Sequence, residues 1–76
     1  MHAASLNRSA RLRRVLEVLR KAREENQPVS TMEIVQQAQV CAVNSIIAEL
    51  RVNGYSIDCT RNDGRWYYRL NEAGHE

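Results

Sequence analysis

The apolar positions fall into three helical runs and then a run of strict alternation. Leu12, Val15, Leu16, Leu19 and Ala22 recur three and four residues apart, which places them on one face of a helix. Arg13, Arg14, Glu17, Arg20, Lys21 and Glu24 take the opposite face, with Glu17–Lys21 and Lys21–Glu25 at supporting i,i+4 spacing. Ser9 is the expected N-cap. Pro28 ends the run, because its ring pushes Gln27 out of the helical region.

The segment "PVSTMEIVQQAQ" opens a second helix. Ser30 and Glu33 have the spacing of a capping box, in which each side chain satisfies a free backbone N–H. Ile34, Val35 and Ala38 supply a short apolar face, and so few turns need neighbours to hold them. Val29, just before the cap, is expected to pair briefly with a later strand. A third helix is expected from about Cys41 to Asn53, with Val43, Ile46, Ile47 and Leu50 in one inward stripe. Gly54 is its left-handed stop.

Period two then takes over. Tyr55, Ile57 and Cys59 point one way, and Ser56, Asp58 and Thr60 the other. Asp63-Gly64 suits a two-residue hairpin turn, which sets Arg61 opposite Trp66, Cys59 opposite Tyr68 and Ile57 opposite Leu70. One hairpin face is then apolar, with an Arg61–Trp66 cation–π contact near the tip. The other face carries Arg65, Tyr67 and Arg69. Trp66 is expected to pack near the base of the hairpin.

Three helices, a short extended piece before the second, and a C-terminal β-hairpin make an α+β chain in the order of a winged helix-turn-helix. The hairpin is expected to bury Tyr55, Ile57, Tyr68 and Leu70 against Leu16, Leu19, Ile47 and Leu50. Residues 9–70 form the domain, between a flexible basic arm at 1–8 and a flexible tail at 71–76. Seventy-six residues give room for one small core.

Composition excludes several function classes. No apolar run reaches the length of a membrane span, and the N-terminus lacks the pattern of a secretory signal, so a cytoplasmic protein without membrane attachment is expected. Cys41 and Cys59 are too few for a metal knuckle and are expected to be two packed thiols. His2 and His75 sit in the tails. No acid–base pair, nucleophile–His arrangement or Gly-rich phosphate loop can be assembled. Neither an enzyme nor a bound cofactor, metal or small-molecule ligand is therefore expected.

The net charge of +2 conceals an uneven layout. Arg8, Arg11, Arg13, Arg14, Arg20, Lys21 and Arg23 crowd the first third, and Arg51, Arg61, Arg65 and Arg69 lie in the last. Between them, residues 26–50 hold Glu33 and Glu49 and no base.

The stretches "SIIAELRVNGYSID" and "GRWYYRL" resemble the small winged helix-turn-helix domains of bacteriophages and prophages. More distantly they resemble the DNA-binding domain of biotin-type repressors. The likeness covers roughly residues 10–70. It implies that Gln39 to Ser45 begins a recognition helix, that Asn44 and Ser45 contact bases, and that Arg65 and its neighbours touch phosphate. The sequence departs from that pattern in two places. "QAQ" replaces the usual glycine of the turn, and Val40 and Ser45 stand where Arg or Lys is common.

The outward face of the third helix is then neutral: Cys41, Ser45, Ala48 and Val52, flanked by Asn44 and Arg51 on one side and Ala42 and Glu49 on the other. Lys and Arg on phosphate supply most sequence-independent affinity for DNA, so this face needs an explanation. In one, a small regulatory protein binds double-stranded DNA: Asn44 and Ser45 read bases, with Gln39 and Arg51 beside them. Arg8, Arg11, Arg13, Arg14, Arg65, Tyr67 and Arg69 anchor the backbone, and dimerisation adds contact area. In the other, Cys41, Ser45, Ala48 and Val52 form a heptad-like seam for another helix. That helix belongs to a second copy or to a host protein, with no DNA bound. A few small residues on an exposed helix are also ordinary.

Overall fold

The computed structural model describes residues 10–71. The expected arm at 1–8, the Ser9 cap and all of the tail except Asn71 lie outside the described residues. Three helices, α1 (Ala10–Glu24), α2 (Thr31–Ala38) and α3 (Val43–Val52), are joined by three short strands, β1 (Val29–Ser30), β2 (Ile57–Asn62) and β3 (Arg65–Leu70). The strands form one antiparallel sheet in the order β1-β3-β2. This is an α+β, winged-helix arrangement.

Each helix boundary has a local cause. After α1, Asn26 adopts φ 59°, its N–H reaches the Arg23 carbonyl, and the Gln27 N–H reaches back to Ala22, both at 2.9 Å. That is a Schellman closure with asparagine in the left-handed position, and Pro28 follows it. The capping box of α2 is complete. Glu33 N–H donates to Ser30 Oγ at 3.1 Å, and Ser30 N–H donates to Glu33 Oε1 at 2.9 Å. Gly54 at φ 100° lies just beyond α3, as its missing Cβ allows.

The hairpin register is the expected one, with Ile57 opposite Leu70, Cys59 opposite Tyr68 and Arg61 opposite Trp66. Asp63 and Gly64 both have positive φ, which fits a two-residue turn twisted like its strands. Val29 pairs with Tyr68, so the short piece before α2 does join the sheet.

Leu12, Val15, Leu16, Leu19, Ile34, Ala38, Val43, Ile46, Ile47, Leu50, Ile57, Tyr68 and Leu70 meet in one interior with Val29 and Val40. Among the described residues no polar or charged residue is buried. No described helix is long and apolar enough to cross a membrane.

Five expectations need correction. The third helix starts at Val43, not Cys41, because Gln39 takes a left-handed conformation (φ 56°) and Val40 turns into the core. Cys41 and Cys59 are both exposed rather than packed; Cys41 precedes the helix, and Cys59, although opposite the buried Tyr68, lies beyond Ile57, the one buried residue of β2. Trp66 is next to the tip, not the base, and 46% exposed. Tyr55 is only half-buried, with the Arg20 guanidinium 5.9 Å from its ring centroid. Asn71 is not loose: its N–H and Nδ2 donate to the Ser56 carbonyl and Oγ at 2.9 and 3.1 Å.

Candidate nucleic-acid interface

α3 buries Val43, Ile46, Ile47 and Leu50, so its periodicity forces Asn44, Ser45, Ala48, Glu49, Arg51 and Val52 outward. Gln39 is exposed in the turn before it, as the left-handed C-cap of α2 rather than the start of the helix. It therefore stands four residues ahead of the first residue of α3, outside the helix that the likeness had it begin. Cys41, also ahead of the helix, drops out of the seam, leaving Ser45, Ala48 and Val52.

The wing lies beside α3 and is fastened to it at two points. Near the start of the helix, the Tyr68 hydroxyl donates to Asn44 Oδ1 at 3.1 Å. Near its end, Arg51 Nη2 donates to the Ile57 carbonyl at 2.6 Å. The second contact has a reason in the sheet. Asn71 N–H binds the Ser56 carbonyl, so residues 56, 58, 60 and 62 turn their backbone groups toward β3. By the alternation of antiparallel ladders, Ile57, Cys59 and Arg61 turn theirs to the open edge. Arg51 covers the first of these three.

Arg51 is thus occupied within the fold, and so are two other candidate anchors. Arg14 Nε donates to the Ala38 carbonyl at 2.8 Å, where a cation also complements the C-terminal end of the α2 dipole. Arg69 Nη1 donates to Asn26 Oδ1 at 3.3 Å and pins β3 to the turn after α1. The side chains of Arg11, Arg13 and Arg65 are exposed and make no hydrogen bond or ring contact among the described residues. Tyr67 is half-buried on the outer face of the wing, between Arg65 and Arg69 and opposite Thr60. Arg61, the remaining hairpin arginine, lies over the Trp66 ring at 5.9 Å to its centroid, the cation–π contact expected from the register.

The first turn of α3 carries a feature that sequence reasoning missed. Ala42 stands at the N-cap and makes no side-chain cap hydrogen bond. Val43 N–H is satisfied by the Cys41 carbonyl at 3.1 Å, whereas the N–H groups of Asn44 and Ser45 have no partner among the described residues. An alanine after a turn was the available signal, since Ser, Thr, Asp or Asn ordinarily fills that role. No group of three His, Cys, Asp or Glu side chains that could hold a metal occurs among the described residues. Comparison with protein-family models, curated proteins and solved structures finds no match.

Proposed function

We propose that this chain is a small DNA-binding regulatory module of the cytoplasm, without catalytic activity, that reads bases with the start of α3. The observation that carries this reading is the Tyr68–Asn44 hydrogen bond. It engages the amide oxygen and leaves both Nδ2 protons for acceptors on a base edge, of which purine N7 is the simplest match. A carbonyl oxygen has two lone pairs, so bidentate pairing with adenine stays open.

The neutral helix no longer needs cations along its own face. Free N–H groups at a helix N-terminus, aided by the dipole, bind phosphate, and those of Asn44 and Ser45 are adjacent to the reading amide. Arg11, Arg13 and Arg65 supply mobile charge, and Arg14 keeps its two Nη groups. The likeness to phage winged helix-turn-helix domains supports the same reading. Titrating affinity for random duplex DNA against salt tests it. Three or four phosphate contacts give a log–log slope of roughly −3 to −4. Absence of binding at low salt removes the proposal.

A second reading, a protein-interaction module without DNA, is favoured by the exposure of Val52 (72%) in line with Ala48 and Ser45. A dimer built on that seam dissociates on Ala48→Glu. Sedimentation showing a monomer before and after the change rejects it.

A further inference from the structure

A groove of about 550 Å³ runs between the first turn of α2 and the tip of the hairpin. Its walls include Thr31, Met32 and Val35 on one side and Gly64, Arg65 and Trp66 on the other. The walls are tied together where Thr31 Oγ1 donates to the Trp66 carbonyl at 3.5 Å. Met32 is 62% exposed and Trp66 46%. Two of the three large hydrophobic side chains that the described residues expose therefore border a single depression. Scattered exposed hydrophobics need no explanation, but convergent ones mark contact surfaces.

The lining of the groove holds one charged residue, and it is a cation. No acidic residue lines it, and Arg65 does. Glu33, the acid of the adjoining helix turn, is committed to the Ser30 N–H in the capping box. Asp63 lies in the hairpin turn next to Gly64, outside the lining. Arg61, likewise outside the lining, holds its guanidinium over the Trp66 ring. The result is an apolar floor with Arg65 on its rim, combining tryptophan, methionine and arginine, which are enriched at protein interfaces. A phosphate backbone has no use for such a floor, and a cationic segment is repelled by the rim.

We infer that this groove docks an acidic peptide segment of another protein. One bulky apolar side chain sits against Met32, Val35 and Trp66, and flanking carboxylates sit on Arg65 and Arg61. The volume falls within the roughly 300–1,000 Å³ of ligand-sized sites. The inference stands apart from the DNA reading except at Arg65, which both use; Met32, Val35 and Trp66 belong to the groove alone.

The test pans the full 76-residue chain against a random twelve-residue peptide library displayed on phage. Synthetic versions of the enriched sequences are then titrated while following the emission of Trp66, the only tryptophan. Enriched peptides should carry Asp or Glu around one aromatic or aliphatic anchor and shift Trp66 emission saturably. Met32→Asp and Arg65→Glu should each weaken them at least tenfold, while Ala48→Glu on α3 leaves them unaffected. Met32→Asp keeps the fold, since the residue is exposed and an acid in the first turn of a helix is favourable; circular dichroism verifies this. Duplex binding by the same variant separates the two proposals: it persists if only the groove is lost. The inference is overturned by no enrichment, by basic consensus peptides, or by acidic peptides indifferent to both substitutions. It is equally overturned if a single-stranded oligothymidine competes with the peptide at equal strength, or if Met32→Asp merely dissociates a homodimer.

Discussion

Arg51 on α3 donates to the Ile57 carbonyl at the outer edge of β2, 2.6 Å away, so the last turn of the helix closes the base of the wing. Removing this side chain uncovers a strand-edge carbonyl as well as a charge-assisted hydrogen bond. Arg51→Ala should lower the unfolding free energy by about 1–2 kcal/mol in urea titrations. It should leave the salt slope of DNA binding unchanged. A slope reduced by about one would instead make Arg51 a phosphate contact.

Tyr68→Phe isolates the hydroxyl that orients Asn44. The ring stays in the core, so the cost in stability is about 0.5–1.5 kcal/mol. Discrimination between preferred and random duplexes should fall several-fold, while affinity for random duplex holds. Equal loss on both duplexes would show that the hydroxyl serves the fold alone.

Ala42→Asp should cap the free N–H groups of Asn44 and Ser45 and set a negative charge where phosphate is proposed to bind. The melting temperature should stay level or rise, and DNA affinity should drop by an order of magnitude or more. Unaltered affinity would mean that the first turn of α3 does not face a phosphate.

Both thiols should react with Ellman's reagent in the native protein within minutes, without denaturant, because Cys41 and Cys59 are exposed. Protection of either one until urea is added would place it in an interface between copies.

Much of the fold was legible because its signals are local. The alternation from Tyr55 to Thr60 and the Asp63-Gly64 turn set the hairpin register without reference to anything else, and Ser30 with Glu33 marked the start of α2. The turn between α2 and α3 was not legible. Gln39 adopts a conformation usually given to glycine, and nothing in "QAQV" announces that Val40 then points inward. At the candidate site, contacts with remote partners were not legible. Arg14 meets a carbonyl 24 residues away and Arg69 an asparagine 43 residues away, contacts that no spacing rule encodes. Cys59 was expected as a packed thiol and Trp66 near the hairpin base, but the last buried residues toward the tip are Ile57 on β2 and Tyr68 on β3.

Among the described residues the interior contains hydrocarbon and a single phenol, with no ion pair or side-chain amide to be matched. No polar match among the described core residues obliges two positions to change together. Exchanges among leucine, isoleucine, valine and methionine that conserve volume should each be tolerated singly. Relatives of this domain can therefore drift far in their hidden residues while the turns, the caps and the tyrosine hydroxyl keep the outer surface in place.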